Sequence, residues 1–98
     1  MSDESNQVAP LASVAVAGAP VAQSVLDYIV RSLVDEPDAV TVEAYEGRRR
    51  NVSLEVRTGP GDMGRVIGRK GRTAQAIRSV VRAAASRDGV DVDVDFAD

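Results

Sequence analysis

From Val90 to Phe96 the chain alternates without a break, Val-Asp-Val-Asp-Val-Asp-Phe. On a strand, successive side chains leave opposite faces, so this run puts its apolar residues on one face and three carboxylates on the other. One face must be dry and the other wet. The fold therefore needs a sheet packed on one side only, with apolar helices to cover that side. The three carboxylates do not suggest a metal site, because alternate residues of a strand project in parallel about 7 Å apart and cannot converge on one ion. They read as a solvated face that protects an edge.

The covering elements follow from the periodicity. Ala22, Val25, Leu26, Ile29, Val30 and Leu33 recur at spacings of three and four, which predicts an amphipathic helix from Val21, with Pro20 at its start and Pro37 as its stop. Val40, Val42 and Ala44, then Val52, Leu54 and Val56, predict two half-buried strands joined as a hairpin through Glu46 to Arg50 around Gly47. After Gly59-Pro60-Gly61, Asp62 is placed to cap a short helix through Met63, Val66 and Ile67 that ends at Gly68. A further helix from near Gly71 offers Ala74, Ile77, Val81 and Ala84 as its buried stripe, and Asp88-Gly89 closes it. The expected order is helix, strand, strand, helix, helix, strand, an α+β domain with a three-stranded sheet. Residues 1–20 start acidic and continue as an Ala/Val run broken by proline, which is neither a secretory signal nor a bilayer span. They are expected to form a disordered tail ahead of a single domain at 21–98, and the protein is expected in the cytoplasm.

Composition narrows the chemistry. With no cysteine and no histidine among 98 residues, the chain has no thiol nucleophile, no imidazole base and none of the usual Cys/His zinc sites. No catalytic residue, metal, cofactor or small-molecule substrate is expected. The net charge of -3 hides a division along the chain: residues 1–46 carry net -7, residues 47–87 net +9, and residues 88–98 net -5. A basic middle within an acidic chain suggests a local site for a polyanion.

Two glycine patterns fall in that middle. Gly59-Pro60-Gly61-Asp62-Met63-Gly64 formally matches G-x-G-x-x-G, but the strand before it alternates instead of being apolar throughout, and the helix after it is too short for a dinucleotide fold. A P-loop is excluded by Arg69, five residues on from Gly64, and by the absence of Gly-Lys-Ser or Gly-Lys-Thr. The second pattern, Gly68-Arg69-Lys70-Gly71, joins two helices with a strand on either side. Glycine at both ends permits a sharp turn and keeps side chains away from a sugar-phosphate backbone. Arg69 and Lys70 supply charge, Arg65 and Arg72 flank them, and the helix opening at Gly71 adds free N–H groups.

The stretches Val25–Asp35, Gly61–Arg72 and Ala76–Ala84 together resemble the single-domain bacterial KH proteins of the KhpA (YlqC-like) type, with the type II topology. The resemblance covers about Ser24 to Phe96. It implies a non-catalytic binder of single-stranded RNA, or an RNA chaperone, that engages about four nucleotides. It also implies pairing, as a homodimer or with a second KH protein of the KhpB (Jag-like) type, and a link to cell-wall synthesis and cell length. The site residues it suggests are Gly68, Arg69, Lys70, Gly71, Arg65, Arg72 and Arg78, with Val66 or Ile67 lining an aliphatic groove while the other of the two enters the core. Exposed aromatic stacking platforms are not expected from a chain with only Tyr28, Tyr45 and Phe96. Arg48, Arg49 and Arg50 fit equally an extended phosphate track and a merely soluble hairpin tip. Ala76, Val80 and Ala83 form a second small-residue face, to be covered either by a partner or by the first helix. A protein-pairing module with weak RNA affinity is the alternative reading, and a helix-turn-helix DNA binder fits the flanking strands poorly.

Overall fold

The computed structural model describes residues 18–97. It contains helix α1 (Pro20–Leu33), strands β1 (Thr41–Glu46) and β2 (Asn51–Arg57), helix α2 (Met63–Ile67), helix α3 (Arg72–Ala85) and strand β3 (Asp91–Ala97), with short 3-10 turns at Pro37–Ala39, Arg69–Gly71 and Ser86–Asp88. The order is that of a type II KH domain. β1 and β2 pair antiparallel, with Val42 opposite Val56 and Ala44 opposite Leu54. β3 lies on the other side of β2 and parallel to it, with Leu54 opposite Val94. Parallel neighbours need a crossover connection, and α2, the Gly68–Gly71 loop and α3 form it. The loop is thereby held at one end of the sheet, where the strands finish and α3 begins.

The core is aliphatic. Leu26, Val30, Val40, Leu54, Val56, Val66 and Val81 are its largest fully buried side chains. Each contributes about 1.5–3 kcal/mol by leaving water, before the entropic cost of ordering the chain. On α3 the buried stripe is Ala74, Ile77, Val81 and Ala85, so Ala85 takes the position expected for Ala84, which is only half buried. Asp91, Asp93 and Asp95 are exposed on the outer face of the sheet, as the alternation requires.

One local expectation changes, and two details are added to it. The folded unit reaches further back than Val21: Pro20 opens α1, and Ala19 is fully buried, with its carbonyl accepting the Gln23 N–H at 2.8 Å. The expected tail otherwise lies outside the described residues. The start of α1 has no local cap. Asp88, 67 residues on from Val21, supplies one: its Oδ1 accepts the Val21 N–H at 3.0 Å and its Oδ2 the Ala22 N–H at 2.9 Å, placing a carboxylate at the positive end of the helix. In the β1–β2 turn, Arg49 and Arg50, not Gly47, take the left-handed conformation, with φ of 53° and 61°.

Both outer strands are shielded by side chains reaching down from the helices. Arg31 of α1 donates to the Val40 carbonyl (3.2 Å), and Gln23 donates to that of Val42 in β1 (2.8 Å). On the opposite side Arg82 Nε donates to the Val92 carbonyl (3.4 Å) and Arg78 Nε to that of Val94 (3.3 Å), both in β3. Two carbonyls along each edge that could recruit another strand are thus already occupied.

Candidate nucleic-acid interface

The site starts from a buried carboxylate. Asp62, at the head of α2, makes no side-chain cap on its own helix, contrary to expectation. Its Oδ2 accepts the N–H of Glu36, 26 residues upstream, at 3.1 Å, and its Oδ1 lies 3.6 Å from Arg65 Nε. Arg65 Nη2 also pairs with Asp35 at 3.0 Å. One buried acid and one arginine therefore tie α2 to the segment that follows α1, fixing the rotation of this five-residue helix. Arg65 was expected to meet a ligand directly; two carboxylates already engage it.

That rotation decides between the two apolar neighbours. Val66 is fully buried in the core cluster, so it cannot line a groove. Ile67 is half buried and stands outside the core cluster. It is the apolar side chain beside the loop that a base could touch.

The two loop glycines have different tasks. Gly68 has φ 76° and ψ 174°, a region only glycine adopts without strain. A Cβ there would run into Thr73, lying 2.7 Å from its Cβ and 3.0 Å from its backbone nitrogen and closer still to Oγ1. Gly71 is also left-handed (φ 74°, ψ 13°), yet a Cβ there would meet nothing within 4 Å. The first glycine lets α3 pack onto the turn, whereas the second leaves open space in front of it. Between them Lys70 is left-handed too, at φ 57° and ψ 24°. The Gly71 N–H donates to the Gly68 carbonyl at 3.2 Å and closes the turn.

Arg69, Lys70 and Arg72 are exposed. None forms an ion pair or side-chain hydrogen bond among the described residues, while the nearby acids Asp35 and Asp62 are held by Arg65. The Arg72 N–H donates to the Arg69 carbonyl, but no side chain caps the start of α3, so its next N–H groups and three unpaired cations lie at one corner of the fold. That arrangement attracts phosphate oxygens. Gly64 belongs to the same corner: it is exposed, and a Cβ on it would meet nothing within 4 Å. It adjoins a cleft of about 480 Å³ lined by Thr58, Gly59, Pro60, Gly61 and Met63. Nothing in the sequence singles out Gly64 for a ligand role; in the fold its carbonyl accepts the Gly68 N–H at 2.9 Å, which sets it beside the loop.

Arg78 lies apart from this corner, nearly two turns along α3. Besides the Val94 carbonyl it donates to Gln75 Oε1 at 3.0 Å, and its guanidinium lies 5.1 Å from the centre of the Phe96 ring. Its first task is at the edge of β3. Among the described residues no group of acidic side chains is arranged to hold a metal ion, and no helix is long and apolar enough to cross a membrane.

Comparison with known proteins bears on the family of the chain. Residues 23–96 match the family described as KhpA/KhpB, KH domain. A protein of Leifsonia xyli named RNA-binding protein KhpA is 52% identical over 69 residues, covering 70% of this chain and 90% of that one. One of the same name from Streptomyces coelicolor is 50% identical over 72 residues, 74% of this chain and 89% of its own. Another, from Clostridium acetobutylicum, is 44% identical over 74 residues, 76% and 97% of the two chains.

Proposed function

The chain belongs to the KhpA/KhpB family of KH domains, and from that premise we propose that it binds single-stranded RNA without catalysing a reaction on it. The observation that carries this reading is the corner built by Gly68–Arg72, where three cations without partners among the described residues face open space beside the uncapped start of α3. Phosphates would meet Arg69, Lys70, Arg72 and the N–H groups of α3, and bases would rest against Ile67. The groups are suited to holding a backbone, with little to read sequence through hydrogen bonds, which fits a chaperone better than a site-specific regulator.

The test is direct. Replacing Arg69 by Gln and Lys70 by Asn keeps a residue that tolerates the left-handed position while removing both charges. Affinity for a single-stranded RNA, measured by fluorescence anisotropy, should fall, and the dependence of log K on log salt should flatten by about 1.4, at about 0.7 per phosphate contact. Unchanged affinity and slope in the folded variant would reject the reading.

A specific observation also favours pairing. Ala76, Val80 and Ala83 are exposed on α3, with Val80 50% accessible; α1 packs against α3 without covering them. A second KH domain, from another copy or from a KhpB-type protein, would bury this face. Control of RNA by such a pair, linked to cell-wall synthesis and cell length, is the physiological setting the family resemblance implies. Sedimentation at tens of micromolar should show self-association that Val80→Glu abolishes; a monomer in both cases leaves only a different KH protein as partner.

A further inference from the structure

Among the described residues three that are not glycine have positive φ, and all three are basic: Lys70 in the G-x-x-G loop, and Arg49 and Arg50 in the β1–β2 turn. Glycine, asparagine or aspartate would occupy such positions with less strain. The hairpin tip thus repeats the device of the loop, a cation held at a backbone position that disfavours it.

The tip is also fixed in place. The Gly47 N–H donates to the Asn51 carbonyl at 2.7 Å, and the Asn51 N–H to that of Arg48 at 3.0 Å. The Arg50 carbonyl accepts the Asp91 N–H at 2.9 Å, and its Nη1 donates to the Gly89 carbonyl at 3.3 Å. These bonds anchor the tip beside the C-terminal end of α3. Arg48 and Arg49 are exposed and make no ion pair among the described residues. Of the acids at this end, Asp88 is occupied by the start of α1, Glu46 lines a cleft next to Arg50, and Asp91 is exposed on the outer face of the sheet.

Between the two turns runs α3, 14 residues and about 21 Å long. Its exposed Arg72, Gln75, Ser79, Arg82 and Ser86, at spacings of three and four, form one polar stripe. Arg87 follows directly, and no acidic residue occurs from Met63 to Arg87. A polyanion leaving the loop along this stripe meets no carboxylate of α3 before it reaches the tip; Asp93 of the neighbouring β3, 3.9 Å from Arg82 Nη2, borders the path.

We propose that Arg48 and Arg49, with Arg87, form a second phosphate-contacting site, used by RNA that continues from the G-x-x-G loop along α3. It recognises the sugar-phosphate backbone, not the bases, and makes the footprint longer than the about four nucleotides one KH groove holds. This rests on the RNA-binding reading above.

The test compares wild type, a tip variant (Arg48→Gln with Arg49→Asn) and the loop variant (Arg69→Gln with Lys70→Asn) on labelled single-stranded RNA of about four and about twelve nucleotides. Asparagine suits the left-handed position, so the tip variant should melt no lower than wild type. The tip variant is expected to bind the short RNA as wild type does, and to lose affinity for the long one with a salt slope smaller by about 1.4. The loop variant should weaken on both lengths. A tip variant with wild-type affinity and slope on the long RNA, or one weakened equally on both lengths, overturns the second site and leaves the loop reading intact. Failure of wild type to bind either RNA overturns both.

Discussion

Replacing Gly68 by alanine should unfold the domain far more readily than the same change at Gly71, although both are left-handed glycines of one loop. At Gly68 the backbone lies in a region closed to other residues, a cost of about 1–3 kcal/mol. The new methyl group must also overlap Thr73, whose backbone nitrogen at 3.0 Å cannot turn away, and such overpacking adds about 1–3 kcal/mol. The sum, about 4 kcal/mol, compares with a total stability of about 4–12 kcal/mol for a domain this size. At about 4–8 °C per kcal/mol, the midpoint should fall by about 15–30 °C. Gly71→Ala incurs only the left-handed penalty, about 1–2 kcal/mol, because its methyl group meets nothing within 4 Å. The chain has no tryptophan, so circular dichroism during thermal and urea unfolding is the suitable probe. Thr73→Ala, by removing the nearest atom, should recover part of the loss in the Gly68 variant. Equal stabilities of the two alanine variants, within about 0.5 kcal/mol, would refute the division of labour argued for the glycines. If it holds, loss of RNA binding in any Gly68 variant reports on folding as much as on contact.

Other perturbations have equally definite outcomes. Asp88→Ala removes the acceptor for two N–H groups at the start of α1 and should destabilise by about 1–2 kcal/mol in urea titrations. Asp62→Ala leaves the Glu36 N–H without its acceptor and frees Arg65 from one partner; about 1–3 kcal/mol should be lost, with little gained by Asn unless its oxygen takes over the Glu36 bond. Deleting the chain through Ala19, which removes a buried side chain and the carbonyl that accepts the Gln23 N–H, should lower the midpoint relative to a deletion that stops before Gly18. The phenol of Tyr45 donates to Glu43 Oε1 at 2.6 Å, and that bond with the adjacent carboxylate raises its pKa above 10.0. Absorbance titration should show the shift and Glu43→Gln should reduce it; because the folded state holds this proton more tightly, the associated stability is present below pH 10 and lost as pH rises through the raised value.

The element order was readable in the sequence because each element carries its own period: alternation in β3, spacings of three and four in α1 and α3, glycine and proline between them. The loop was readable for the same local reason. What escaped was every role set by a partner far along the chain. Arg65 reads as a free cation because nothing near it in sequence announces Asp35, 30 residues away. Arg78 reads likewise because a strand's open carbonyl leaves no mark in sequence. Asp62 has the position of a cap, and only the fold shows its carboxylate turned to Glu36. Val66 and Ile67 could not be separated while the rotation of so short a helix was unknown. Ala19 reads as tail because one alanine in an Ala/Val run carries no period.

The shield over the outer strands has a consequence for how the protein is lost from solution. It consists of side chains lent by the helices, so it lasts only while those helices stay docked. If α3 swings away, Arg78 and Arg82 withdraw together and the Val92 and Val94 carbonyls are left bare on a strand whose inner face is valine. The species able to nucleate cross-strand polymers is then a briefly open molecule, and at a given protein concentration its abundance is set by the local opening equilibrium of α3. A ligand that clamps the loop end of α3 would slow such polymerisation without touching the strand. Preparations freed of nucleic acid would accordingly be the ones that precipitate on warming.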